Sequence, residues 1–171
     1  LQPFFMGVLV SVLVGIALFL TLFTMGPVLS QIKTQAYDPY VAQTISQQEF
    51  LDRAQVPLKD FMLRNTENSA MEMFCELADQ PAPADEEEAM ELPLRIIVPS
   101  FMTSELKRAF EIGFLLYIPF MLIDIVVSST LMSMGMIMLP PSMISAPFKL
   151  LLFITLDGWQ LLFSTLVRSF Q

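Results

Sequence analysis

The sequence contains no histidine and a single cysteine, Cys75. Without histidine the chain lacks the usual base at neutral pH and the commonest metal ligand. A Ser/His/Asp or Cys/His nucleophile system is therefore impossible within it. One cysteine forms no disulfide within the chain and says little about compartment. No cysteines or carboxylates stand at metal-ligand spacing. GxxxxGK[ST] and GxGxxG are both missing, so nucleotide chemistry has no motif. Six glycines exclude a collagen-like chain. Lysine and arginine together number 9, which argues against nucleic-acid recognition, because phosphate binding needs a basic surface. Charged residues are 15% of the chain, against about 25% in an ordinary soluble domain.

What the chain does have is apolar length. Over 171 residues it is 54% hydrophobic, with a mean hydropathy of +0.62, and this excludes disorder. Its formal charge of −8 is confined to one region. Residues 33–95 hold 13 acidic and 5 basic residues, and the remainder holds 4 of each. The chain reads as a neutral apolar frame around an acidic insert, a membrane-associated protein with no internal repeat.

Leu1 to Ile32 carries no charge. As one helix, the roughly 29 residues to Leu29 extend about 43 Å, more than the ~30 Å hydrocarbon core. The stretch is too long for a signal h-region and lacks a basic flank. Gly26-Pro27 is expected to break it. Because residue 1 is leucine, the chain reads as processed, trimmed or incomplete at that end.

The acidic insert reads as helical pieces. Ser46-Gln47-Gln48-Glu49 fits a capping box that starts a helix holding Phe50 and Leu51. Pro57 fits the first turn of a further helix, with Phe61, Met62, Met71, Phe74 and Leu77 as its apolar face. Gln80 to Leu92, with its prolines and the run Asp85-Glu86-Glu87-Glu88, reads as a mobile loop. The acidic run is a solvated loop or, as a minority reading, a binding surface.

Leu94–Val98 is a short apolar run ending at Pro99, after which Ser100 or Thr103 is placed to cap a long helix. That helix's apolar stretch, Ala109 to Leu139, is long enough to span a bilayer. Pro119 is expected to kink it, and Pro140-Pro141 to end it. A last helix covers about Ser142 to Val167, closed by Arg168. Domain boundaries follow: an N-terminal apolar helix over 1–32, an acidic helical insert over 33–98 with loop 80–92, and a C-terminal hydrophobic hairpin over 99–171. The fold class is all-α.

Charges inside apolar helices are costly. Glu111, Asp124, Lys149 and Asp157 are therefore expected to face protein or water, either pairing between helices, lining or gating a pore, or relaying protons. Small residues, among them Gly113, Ser128, Gly135, Ser142, Ser145 and Ala146, let helices approach closely. Three apolar segments leave little room to satisfy these charges, so an oligomer is the economical solution. Met132, Met134, Met136, Met138 and Met143 cluster around Gly135 and Pro140-Pro141. Methionine adapts to a changing surface, so the cluster is either a gap-filling core or a soft apolar plug that gates by dewetting.

At this cluster the sequence resembles a known family. The stretches that carry the resemblance are Val98-Pro99-Ser100-Phe101-Met102-Thr103-Ser104-Glu105-Leu106-Lys107, Ile112-Gly113-Phe114, Tyr117-Ile118-Pro119-Phe120, Asp124, Met134 to Pro141, Pro147-Phe148-Lys149-Leu150 and Leu156-Asp157-Gly158-Trp159. Gly15 to Thr21 and Phe61-Met62-Leu63-Arg64 add to them. Together they are similar to the FliP/SctR family of type III secretion export-gate proteins, over roughly residues 12–170.

The resemblance implies a pentamer joined by FliQ-like and FliR-like subunits in a helical, conical gate that passes unfolded proteins. FlhB-like and FlhA-like components and membrane lipid are further implied partners. It implies bent hydrophobic hairpins, the inner membrane at the flagellar basal body, and a periplasmic insert. Met134, Met136, Ile137 and Met138 would form a pore gasket, with Ile137 standing where methionine is typical. Tyr117 would be a pore-side aromatic, Glu105 and Lys149 an intersubunit charge pair, and Asp124 and Asp157 buried helix charges. Pro119, Pro140 and Pro141 would shape the helices. Leu1 to Ser11 does not match the family's helix at that position, so the start looks truncated, spliced or altered. No enzymatic activity, metal or cofactor is implied. The rival readings are a small-solute or ion transporter subunit coupling through Asp124 and Asp157, and a structural anchor presenting the acidic insert.

Overall fold

The computed structural model describes residues 1–136 and 140–170. No strand occurs among them, so the all-α expectation holds. Helix α1 covers Gln2–Ile32, and α2, Asp38–Val41, follows after a π-helical segment Lys33–Tyr37. Together they form a 40-residue helical run that is long and apolar enough to cross a membrane. Gly26-Pro27 does not break it, contrary to expectation. In apolar surroundings a break would orphan several backbone groups, whereas a continuous helix forfeits only the one bond that Pro27 cannot donate. Hydroxyls along the run are satisfied in the same economical way: Ser11 donates to Gly7 O at 2.9 Å and Thr21 to Ala17 O at 2.8 Å.

Ser46 opens α3, Gln47–Arg64, with its Oγ accepting from Glu49 N at 3.2 Å. Glu49 itself pairs with Arg53 at 2.5 Å. Pro57 lies inside α3 and is buried, not at the start of another helix. The apolar residues expected on one helix are divided, because α3 stops at Asn65 and α4 covers Asn68–Leu77. Leu77 is exposed. The rest of α4's apolar side joins the core, where Cys75, Leu92, Ile96 and Ile97 pack with Met62, Leu63, Met71, Phe74 and Ala78. Burial pushes the Cys75 thiol above its usual pKa.

The stretch read as a loop over 80–92 contains a short helix, α5, Glu86–Glu91. Two side chains overcome the charge repulsion. Asp85 Oδ1 accepts from Glu88 N at 2.8 Å, and Glu88 Oε2 accepts from Ala84 N at 2.7 Å, a reciprocal cap on donors that would otherwise be orphaned. The carboxylates also sit at the end of the helix dipole that favours them. Lys59 Nζ then donates to Met90 O at 3.1 Å and Leu92 O at 2.9 Å, fixing the exit from α5 to α3.

Helix α6 covers Leu94–Ser133. It starts before Pro99, so neither Ser100 nor Thr103 is a cap, and it is unbroken at Pro119. Ser100 instead donates to Ile96 O at 2.6 Å, and Ser104 donates to Ser100 O while accepting from Glu67 N at 2.9 Å. Gly135 follows with φ +75°, a conformation that glycine adopts without steric cost. Pro140 precedes α7, Pro141–Thr155, and α8 covers Gly158–Arg168. Helix α6 thus ends at Ser133 beside Gly135 and not at the double proline as expected; the double proline instead starts α7, since a proline at the first helical position has no hydrogen bond to lose.

The single last helix expected from the sequence is two, bent by 59° at a short break. Asp157 takes a left-handed φ of 49° there, and Gly158 lies under the Phe153 ring. By packing, Leu1–Leu106 with the C-terminal end forms one compact unit and Lys107–Ser169 another. Within the first, Phe61 stacks on Phe170 with ring centroids 6.0 Å apart. The boundaries read from the sequence followed charge, whereas these units follow contacts.

A Cβ on Gly158 would overlap the Phe153 ring at Cε2. The Phe153 ring is held by Phe120 at 6.4 Å and Trp159 at 5.2 Å between centroids. Gly158→Ala is expected to cost about 1–3 kcal/mol. Phe153→Ala introduced with it should recover part of that cost, as read by thermal unfolding of the four chains of the cycle. Strictly additive losses would contradict the contact.

Candidate functional site

Within the second unit, an ion pair joins α6 and α7. Asp124 on α6 meets Lys149 on α7, with Oδ2 2.6 Å from Nζ. Its other oxygen, Oδ1, accepts from Ser145 Oγ at 2.7 Å. Ser145 is fully buried. It stands one helical turn before Lys149, so both side chains project from one face of α7 toward the same carboxylate. The pair's side chains are 33% and 31% exposed, so the charges are partly withdrawn from solvent and each depends on the other.

Apolar contacts continue on both sides of this clasp. Phe120, Phe153, Trp159 and Phe163 form a chain of ring contacts, with centroids 5.2–6.4 Å apart. An apolar groove of about 710 Å³ runs between α6 and α7, lined by residues such as Val126, Leu131, Ile144 and Phe148. The two threonines in its lining donate to their own helices, Thr130 to Val126 O and Thr155 to Leu151 O, so the groove presents their methyls and no free hydroxyl proton.

The clasp holds the two helices on either side of the methionine-rich connection. Met134 and Met136 are exposed there, as are Met132 and Met143. Ile137 and Met138, the remaining gasket residues expected from the resemblance, lie outside the described residues. Tyr117 is exposed on α6, two turns before Asp124. Glu105 belongs to the first unit and Lys149 to the second. Within the chain, Asp124 is a carboxylate partner of Lys149. Asp124 is half-buried, whereas Asp157 is exposed at the α7–α8 break and is not buried in a helix as expected. The left-handed turn that stops α7 carries it outward.

Sequence reasoning singled out Asp124 and Lys149 separately and counted Ser145 only as a small residue. The spacing of Ser145 and Lys149 was the available signal, since i and i+4 share a helical face. Among the described residues no group of three or more His, Cys, Asp or Glu is placed to hold a metal ion. The constellation acts as a lock between α6 and α7, with one carboxylate oxygen of Asp124 on each partner.

Asp124→Asn would leave the Lys149 ammonium half-buried without its counter-charge. Breaking a fully buried pair costs about 3–5 kcal/mol and an exposed one ~0–1. For this pair a loss of stability is expected, read as a lower Tm of the purified chain in detergent. The exchange Asp124→Lys with Lys149→Asp should regain part of it, and an unchanged Tm in Asp124→Asn would contradict the lock.

A family model described as the FliP family matches residues 9–166. Over 161 residues the chain is 48% identical to the flagellar biosynthetic protein FliP of Aquifex aeolicus (strain VF5), covering 94% of this chain and 67% of that protein. Against the protein of the same name from Bacillus subtilis (strain 168) it is 48% identical over 160 residues, covering 94% of this chain and 71% of that protein. For that of Pectobacterium carotovorum subsp. carotovorum the values are 47% over 160 residues, 94% and 61%. The chain thus spans between three fifths and three quarters of these relatives' length. The match takes in α1, the acidic insert, both arms of the clasp and the connection between them, and the chain belongs to the FliP family.

Proposed function

We propose that the chain is a channel-forming subunit of the flagellar type III protein export gate, passing unfolded flagellar proteins across the inner membrane. The observation that carries this reading is the family match through the methionine-rich connection and both helices that flank it. The curated relatives are named flagellar biosynthetic proteins, which agrees with a part in building the flagellum.

The physical picture supports a subunit that works in an assembly. Among the described residues two helices are long and apolar enough to cross a membrane, and the most apolar stretch of each is unburied within the chain. Large side chains such as Phe110, Phe114 and Leu115 are exposed on α6. Covering each contributes about 1.5–3 kcal/mol, from whatever apolar surface covers it. In our reading that surface is five copies of this chain, FliQ-like and FliR-like subunits, and lipid, with FlhB-like and FlhA-like components alongside. Residues 33–98 lie on the periplasmic side.

In the mechanism proposed, each clasp sets the height and direction of its methionine connection. Met134, Met136, Ile137 and Met138 from all copies meet on the axis. Flexible thioether side chains close around a passing polypeptide, and an apolar ring too narrow to stay wet stops ions. Glu105 of one subunit and Lys149 of the next tie the ring, and Tyr117 faces the passage. A transporter using Asp124 as a coupling carboxylate is the weaker reading, because that carboxylate is engaged by Lys149 and Ser145.

Replacing Met136, Ile137 and Met138 together by glycine should leave the assembly formed but leaky, measured as ion conductance of membranes that contain it. An assembled variant with unchanged conductance would contradict the gasket. Lys149→Glu should impair assembly on native gels, and Glu105→Lys in the same chain should partly restore it. Restoration by Asp124→Lys alone would assign the defect to the clasp within each subunit.

A further inference from the structure

The first unit contains a second concave feature that the export reading does not use. A cleft of about 720 Å³ opens between α3, α4 and the segment that carries α5. Its floor is apolar: Leu63, Met71 and Met90 are half-buried and Ala89 is buried. The rim is acidic. Asp60 is neutralised locally by Arg64 at 2.5 Å, which leaves Glu72, Asp85 and Glu86 as its net charge. Two linkages shape the walls. Asp85 and Glu88 hold the start of α5 by their reciprocal cap, and Lys59 holds its end to α3.

We propose that this cleft docks a cationic helical segment of a partner protein, with apolar side chains entering the floor and lysines or arginines meeting the rim. Charge complementarity selects this occupant. The surrounding region holds 13 acidic against 5 basic residues, so a second copy of the same surface is repelled and a basic partner is drawn in. The volume takes a few large side chains and no more, which suits anchors at i, i+3 or i+4 on one helical face. Met71 and Met90 adapt to the anchors' shape at little cost. The proposal does not depend on the export-gate reading, because every residue it uses lies in α3 to α5.

The test uses the full chain in nanodiscs of zwitterionic lipid, labelled with ¹³C-methyl methionine. The probe is a short helical peptide with leucine on one face and lysine elsewhere, and a second peptide has serine in place of leucine. Saturable shifts of the Met71 and Met90 methyls, with Met134 and Met143 unmoved, are expected for the leucine peptide. The expected affinity loss is at least about tenfold for Glu72→Lys with Glu86→Lys, and smaller for the two glutamine replacements. Raising the salt concentration should also weaken binding. Equal binding of the serine peptide would reduce the cleft to a general acidic surface and overturn the proposal. So would shifts spread over methionines outside the cleft, or an undiminished affinity in the charge-reversed chain.

Discussion

The second unit depends on a carboxylate that has few places to go. Asp124 lies in the middle of an apolar helix, where an unpaired charge is expensive whether the surroundings are lipid or protein. Lys149 and Ser145 on the facing helix receive it. Helices that face each other only through aliphatic side chains can slide, because one leucine packs much like the next. An ion pair with a second hydrogen bond has one good register. The clasp therefore fixes how the end of α6 is set against the start of α7, and so where the methionine-rich connection is presented.

The two units satisfy their needs differently. The first has a core of its own, around Cys75, Leu92, Ile96 and Ile97, and polar linkages such as Lys59 to the carbonyls of Met90 and Leu92. The second exposes apolar length and pairs several of its hydroxyls within the chain. Ser133, Thr130 and Thr155 each donate to a carbonyl of their own helix. These three hydroxyls can meet other apolar surfaces without giving up a hydrogen bond to water.

Much of this was legible in the residues. Uncharged length identified the long helices, and the Ser46 motif located the start of α3. The misreadings share a cause. Pro27, Pro57 and Pro99 each looked like punctuation, and all three lie inside helices. A proline costs one hydrogen bond, but ending a helix in apolar surroundings costs several, and only the tertiary setting reveals which applies. Asp157-Gly158 carried the opposite message. Its turn was overlooked because the apolar pattern runs through it, and the reason for it lies in the Phe153 ring packed over Gly158. The clasp was half legible: two costly charges were evident, but their pairing needed the hairpin's register, which residue spacing on one helix does not contain.

The central claim is that Asp124 and Lys149 pair within one chain and hold its hairpin when the protein is assembled in a membrane. The direct measurement is the dipolar coupling between Asp124 Cγ and Lys149 Nζ by solid-state NMR. The labelled chain would be diluted into an excess of unlabelled chain before assembly. A coupling that persists undiminished per labelled chain is the predicted result. A coupling present in the fully labelled assembly and lost on dilution would place the pair between subunits and contradict the account.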